Sequence, residues 1–434
     1  MIQIKDRRND VRIFTTLFFC FFIQHTQSIA QSGSRVELHS FYSPALEVNK
    51  SYNIYLPRGY DDGDARYPVV YFLRLHESEW FDPNLPGRNG ATLKNIANAL
   101  IQSGQIGEMI LVGPSTGSDN GQVAGLFNLL RPDLTASPGI GTGRFEDYFI
   151  QDLISHIDST YRTIPDRAHR GVDGFSLGGY TSIVLALRNL GVFSSVGGYD
   201  GTMMWRDLDD PTVPGNAPDD SFWMNSRFNG LIGPLFDVSR KTDYMLQHNA
   251  ANIVAEAEGA KLDSIRALRF HIHTGHSEEV ANLGRNEQLV EIMAEKGIPN
   301  TSQNLILAPN AVHDYHFADL HASKTLVQHW QTFQQATSVE LRTHVSAEEF
   351  ELLQNYPNPF NPETSIQYFV ASDQWVRLRI FDVRGLEVAT LVNEWKSAGG
   401  YTIVFEARGL PSGVYFARLQ VGGFVATKKM LLLR

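Results

Sequence analysis

Cysteine is almost missing from this chain. Its 434 residues include one, Cys20, inside an N-terminal apolar run. If the first 30 residues are removed, no thiol remains, and both disulfides and thiol catalysis are excluded. Positive charge is also scarce. Lys and Arg number 37 against 47 Asp and Glu, a formal net charge of -10, which argues against nucleic acid or an anionic membrane surface as the main partner. Long apolar runs are lacking too: no stretch after residue 30 approaches the roughly 20 residues of a bilayer-spanning helix. There is no solenoid-period repeat and no P-loop or dinucleotide fingerprint, so no cofactor is expected. What remains is ordinary globular material, 43% hydrophobic and 19% charged, too apolar for disorder. At about 150 residues per domain the length suggests two or three domains.

Four segments follow from the pattern. Lys5, Arg7, Arg8 and Arg12 precede the short apolar run Ile13 to Ile23, and the small residues Ser28 and Ala30 follow it. Basic start, short apolar centre and small-residue end describe a secretory signal peptide over residues 1–30. Residues 31–335 alternate short apolar runs (Pro68 to Leu73, Met109 to Gly113, Val192 to Gly198, Leu268 to His273) with helix-period stretches (Thr92 to Gln102, Phe149 to Thr160, Tyr180 to Asn189, Asn286 to Lys296). Buried strands alternating with amphipathic helices predict an α/β domain, a mostly parallel sheet with helices on both faces. A polar, helix-like connector spans 336–349. Residues 350–434 change to period 2, as in Trp375 to Phe381, Tyr401 to Phe405, Val414 to Leu419 and Phe424 to Leu432, with Gly, Pro, Asn and Ser between. That predicts a small antiparallel β-sandwich.

Gly174-Phe175-Ser176-Leu177-Gly178-Gly179 contains G-x-S-x-G. The motif is weak alone, but Arg170 to Val172 lead in like a strand and Tyr180 onward reads as a helix. Strand, sharp turn and helix form the setting of a nucleophile elbow. Glycine neighbours let the serine occupy a strained turn. The Leu177 N–H then faces a developing oxyanion. A serine nucleophile needs a general base and an acid that orients it, in the chain order Ser, acid, His. His313 comes late, after a strand-like stretch, with His316, His321 and His329 as rivals.

Longer stretches carry a resemblance. Asn53 to Tyr60, then Arg66 to Tyr71, then Phe145 to Tyr148 through Asp158 to Arg162, resemble in order the esterase D / feruloyl esterase-type α/β hydrolases, which include acetyl-xylan and siderophore esterases. The resemblance covers roughly 300 residues. It implies an α/β-hydrolase fold and a serine esterase acting on an ester substrate, an acylated (plant) polysaccharide or a phenolic ester. Ala311-Val312-His313-Asp314-Tyr315 fits the family's late histidine. The family's acid follows the strand Leu268 to His273 in Gly-x-x-Asp; here Gly275-His276-Ser277-Glu278 stands there, which makes Glu278 the expected acid. Glu279 and Asp200, the latter ending the preceding strand, are the alternatives. One departure stands out: the family has His-Gly after the strand ending at Leu73, where this chain has Arg74-Leu75. A backbone N–H is all the oxyanion needs, so Leu75 or His76 is expected to supply the second donor. An acyltransferase on the same fold and a non-catalytic surface binding protein on an esterase scaffold are the competing readings; the departure favours the second of these.

His271, His273 and His276 put a His-x-His on one strand face. No carboxylate pair with ligand spacing accompanies it, so no metal is expected. Trp80, Tyr199, Trp205 and Trp223 are candidates to wall a substrate pocket. The last block opens with Leu353-Gln354-Asn355-Tyr356-Pro357-Asn358-Pro359-Phe360-Asn361-Pro362. It continues through Ile380 to Gly385 and Leu410 to Tyr415, and ends with Lys428 to Arg434. It resembles the type A sorting domain of the type IX secretion system. That resemblance implies passage through the periplasm, the type IX machinery as partner, and a secreted or outer-surface location. A carbohydrate-binding sandwich is the alternative.

Overall fold

A strand covered on both faces is apolar at every position, and Val69–Leu73 is such a strand. The computed structural model describes residues 33–85, 87–88, 90–206, 208, 228–276, 282–299, 306–309, 312–344, 350–355, 358 and 360–433. The expected signal peptide lies outside the described residues. Eight strands form one sheet: β1 (Arg35–Ser43), β2 (Val48–Leu56), β3 (Val69–Leu73), β4 (Ile110–Pro114), β5 (Arg170–Gly174), β6 (Ser195–Tyr199), β7 (Arg269–His276) and β8 (Ile306–Pro309). Their order is β1-β2-β4-β3-β5-β6-β7-β8. From β4 to β8 all neighbours are parallel, while β1 and β2 add an antiparallel edge.

Alternate residues of β3 and β4 feed two cores. Val69, Tyr71, Leu73, Ile110 and Val112 lie in one; Val70, Phe72, Met109 and Leu111 lie in the other. Helix α1 (Leu93–Gln102) covers the second core with Leu93, Ala97 and Leu100, spaced to share one face. Thr92 caps it by accepting from the Asn95 N–H, satisfying a donor that the first turn cannot. Helix α2 (Ile154–Thr160) and helix α3 (Leu177–Arg188) cover the first core. Helix α4 (Asn282–Glu295) adds Leu289, Ile292 and Met293 to it. Helix α5 (Tyr315–His344) joins α1 with Phe317, Ala322 and Phe333. Each large apolar side chain so buried contributes roughly 1.5–3 kcal/mol. The stretch expected as one helix from Phe149 begins instead as a π-helix over Tyr148–Leu153 before α2. Helix α5 runs on to His344, so the connector expected from 336 starts as its continuation.

The described residues of the last block hold seven strands: β9 (Glu351–Leu352), β10 (Glu363–Val370), β11 (Gln374–Asp382), β12 (Glu387–Lys396), β13 (Gly399–Glu406), β14 (Gly413–Val421) and β15 (Phe424–Leu432). They make two antiparallel sheets, β13-β10-β9 and β12-β11-β14-β15. Ile366 and Tyr368 from the first pack with Val376, Leu378, Ile380, Leu419 and Met430 from the second. These residues recur every second position, as one buried sheet face requires. The chain is therefore an α/β-hydrolase fold followed by a β-sandwich.

Candidate active site

The turn from β5 into α3 carries Ser176 at φ 56°, ψ −120°. A positive φ is uncommon for a residue with a Cβ, and such strain persists only where the surroundings enforce it. Three backbone bonds enforce it here. The Ser176 N–H donates to the Tyr199 carbonyl (2.9 Å), the Gly178 N–H to Phe175, and the Tyr180 N–H to the Ser176 carbonyl. Two glycines make room. A Cβ on Gly174 would lie 2.4 Å from the Gly178 carbonyl, and one on Gly178 would lie 1.9 Å from the Leu73 carbonyl oxygen. Both contacts are with backbone, which cannot step aside. The serine thus stands at the mouth of the sheet, and Leu177 opens a helix whose first N–H groups have no acceptor in the helix itself.

His313 lies just before α5. Its Nε2 is 2.8 Å from the Ser176 hydroxyl, and its Nδ1 is 3.1 Å from Asp200 Oδ2. The ring tilts against Phe175, with centroids 4.5 Å apart. Since a carboxylate only accepts, Nδ1 carries the proton in this arrangement and Nε2 is left to accept from the serine. Ser176 is 9% exposed as a residue, and the side chains of His313 and Asp200 are 20% and 7% exposed.

The acid against His313 is Asp200, at the end of β6. Glu278 and Glu279 lie outside the described residues. Asp200 sits at φ 45°, and its N–H donates to the His273 carbonyl (2.8 Å). The end of β7 then holds the far carboxylate oxygen: the Thr274 hydroxyl donates to Oδ1 at 2.7 Å and the Gly275 N–H at 2.8 Å. The strand from which the acid was expected supplies donors to an acid one strand away.

The rival histidines are elsewhere. His316 is exposed. His321 and His329 are wholly buried, the first against His273 (2.7 Å) and the second between Asp173 and Ser195. His271 meets the Ser195 hydroxyl at 2.9 Å. Burial pushes the His273 pKa down to about 4, that of His321 to about 2 and that of His271 well below its ordinary value. Among the described residues no three His, Cys, Asp or Glu converge as a metal would need. The aromatic wall is also revised. Trp80 and Tyr199 are fully buried core residues; the Trp80 indole donates to the Leu73 carbonyl (3.2 Å) and stacks edgewise on Phe72 and Tyr199. Trp205 is half-buried, and Trp223 lies outside the described residues.

The two backbone groups expected to serve the oxyanion from the loop after β3 point at a side chain. The N–H groups of Leu75 and His76 both donate to Glu79 Oε2, at 3.0 and 3.3 Å. Four further residues near the site were missed by sequence reasoning: Glu79, Asp173, and the ion pair Arg88–Asp319 (2.8 Å). Asp173 alone left a signal, as a charge inside the otherwise uncharged run Gly171 to Gly174.

Known proteins resemble this chain over both of its parts. Residues 43–344 match the family model Esterase, and residues 354–433 match the model of a secretion system C-terminal sorting domain. Esterase MT1326 of Mycobacterium tuberculosis is 22% identical over 286 residues, covering 63% of this chain and 56% of that protein. An endo-1,4-beta-xylanase/feruloyl esterase of Xylanibacter ruminicola is 29% identical over 181 residues, covering 40% of this chain and 22% of its own length. The chain thus spans about half the length of the first relative and under a quarter of the second. The solved structure of a ferulic acid esterase superposes with a TM-score of 0.53 at 20% identity, covering 70% of this chain and 99% of the other; it shows the shared fold. With the Esterase model matching residues 43–344, well over half of the chain, the chain belongs to the Esterase family and carries a secretion sorting domain behind it.

Proposed function

We propose that this protein is an exported carboxylic-ester hydrolase in which Ser176 is the nucleophile, His313 the general base and Asp200 the acid that orients it. The observation that carries the reading is the single bridge made by His313, 2.8 Å to a serine at positive φ and 3.1 Å to a carboxylate. In the forward step Ser176 Oγ attacks the ester carbonyl carbon while Nε2 takes the hydroxyl proton. The C=O bond becomes C–O⁻. Its charge is met by the Leu177 N–H at the start of α3. Asp200 stabilises the imidazolium and is itself held by Thr274 and Gly275. The imidazolium then protonates the leaving alkoxide, the ester C–O bond breaks, and an acyl-serine remains. Water, deprotonated by His313, repeats the sequence and releases the acid.

The substrate class we infer is an acylated polysaccharide or phenolic ester, supported by the feruloyl esterase named among the relatives. Labelling of purified protein with a fluorophosphonate probe tests the chemistry. Wild type is expected to label once and Ser176→Ala not at all, with hydrolysis of a short activated ester falling by about 10⁴-fold or more. Turnover undiminished in the variant removes the serine mechanism. A panel of acetyl, feruloyl and long-chain esters ranks the acyl group.

The sandwich is read as the export signal for type IX machinery, with residues 1–30 directing passage to the periplasm. Among the described residues its core contains none from the α/β domain, so deletion of 350–434 is expected to leave kcat/KM unchanged and abolish appearance outside the cell. Normal release of the truncated chain from a host with this machinery refutes the sorting role.

A further inference from the structure

An oxyanion hole is a place where backbone N–H groups hold one negative oxygen. Beside the elbow of this protein such a place exists, and the chain's own Glu79 occupies it. Oε2 of that carboxylate accepts from the Leu75 N–H at 3.0 Å and the His76 N–H at 3.3 Å. The Arg74 Nε lies 3.5 Å from the same oxygen. These donors abut the nucleophile turn. Arg74 Nη1 donates to the Phe175 carbonyl at 3.1 Å, one residue before Ser176. The β3 end also packs so closely on α3 that a side chain at Gly178 would strike Leu73. The occupant is held in turn: Arg88 donates to the Glu79 carbonyl at 2.7 Å and is locked to Asp319.

We propose that Glu79 is a positioning residue that competes with the tetrahedral oxyanion for the N–H groups of Leu75 and His76, so that turnover requires its carboxylate to be displaced. The inference rests on the esterase reading above. Its physical basis is that both anions need the same donors. A carboxylate desolvated to 19% exposure and held by two N–H groups and a guanidinium does not leave them without cost. Substrates that fill the site and drive the side chain out gain the second donor; small ones do not. In the competing structural role, Glu79 merely caps the turn that starts at His76. Its own N–H closes that turn on the His76 carbonyl at 3.2 Å, and its side chain reaching back to the His76 N–H is one half of a capping box.

Glu79→Ala and Glu79→Gln separate the two roles, read by kcat and KM for a short activated ester, by fluorophosphonate labelling rate and by thermal midpoint. Competition predicts that Glu79→Ala raises kcat by about 10-fold or more, toward the order of 10²–10³ that one oxyanion donor is worth, with KM little changed. Glu79→Gln, which still accepts a hydrogen bond but carries no charge, falls between the two. A kcat in Glu79→Ala equal to or below wild type, in protein that still labels, overturns the proposal and leaves the esterase standing. If Glu79→Ala fails to fold, Glu79→Gln decides alone: faster than wild type supports, equal or slower refutes. Absence of labelling in wild type and both variants ends the esterase reading and this one together.

Discussion

Among the described residues the α/β domain contains two Ser–His–Asp clusters, and the proposed mechanism assigns catalysis to one of them. In the first, His313 links Ser176 and Asp200. In the second, His329 links Ser195 and Asp173: its Nδ1 is 2.6 Å from the Ser195 hydroxyl and its Nε2 is 3.0 Å from Asp173 Oδ2. The distances are as good, the residue types are the same, and the ring is turned so that the two nitrogens exchange roles. Everything around them differs. The second cluster is fully buried, with no exposure at His329 or Asp173, so no substrate reaches it. Ser195 begins a regular strand, whereas Ser176 stands at positive φ ahead of a helix N-terminus. The Asp173 oxygen that faces His329 also accepts from the Tyr199 hydroxyl (2.5 Å) and the Thr325 hydroxyl (2.6 Å), and its other oxygen takes the Gly174 N–H (2.7 Å). A triad is therefore a constellation plus access, strain and an oxyanion site. Without them, the same hydrogen bonds are a way to keep a charge in a core.

Exchanging the two acids for amides breaks or sharpens that contrast. Asp200→Asn is expected to lower kcat by about 10³–10⁴-fold, because the imidazole loses both its tautomer control and its counter-charge, with the thermal midpoint nearly unchanged. Asp173→Asn should do the reverse. It turns an acceptor of four donors into a mixed group inside the core, at a cost of about 3 kcal/mol or more in urea unfolding, while the kcat of the folded fraction stays close to wild type. Ser195→Ala follows Asp173→Asn on a smaller scale. If Asp173→Asn loses activity without losing stability, the buried cluster is more than structural and the contrast fails.

A smaller effect separates the clusters by pH. His273 and His321 lie beside the buried cluster, and burial holds their folded-state pKa values at about 4 and about 2, below the ordinary value near 6.5. The unfolded chain then binds more protons, so stability rises with pH in this window. Their contribution is complete above about pH 6.5 and is lost as pH falls toward 4. Denaturant titrations at pH 7, 5.5 and 4.5 should show a progressive loss, reduced in His321→Leu. A flat profile contradicts the burial of these rings.

Much of this was legible in the chain and some was not, for reasons that particular residues make plain. The run Val69 to Leu73 reads as a strand because every position is apolar, and the structure buries all five. β1 was harder: Glu37, His39 and Ser40 sit among its apolar residues, as suits an edge with one open face. The acid could not be read from order alone. Neighbouring parallel strands lie about 4.8 Å apart, so the ends of β6 and β7 are equally near one histidine, and Asp200 is bonded directly to the His273 carbonyl. Glu79 was invisible because a loop carboxylate four residues from its partner has no periodicity to betray it. The Arg74-Leu75 departure drew attention to this loop and said nothing of the Glu79 carboxylate bonded to its N–H groups.

Arg88 joins pieces that are far apart in the chain. Its side chain, wholly buried, grips Asp319 on α5 with two nitrogens (2.9 and 2.8 Å) and the carbonyls of Glu79 and Asp82 with the third (2.7 and 2.9 Å), and its guanidinium lies 5.0 Å above the Tyr315 ring. The loop after β3 and the helix that starts two residues beyond His313 are thereby one mechanical body. On the proposed mechanism, a ligand that displaces the loop is expected to shift the start of α5, next to His313, as well. A single guanidinium thus joins the loop that carries Glu79 to the helix that follows His313.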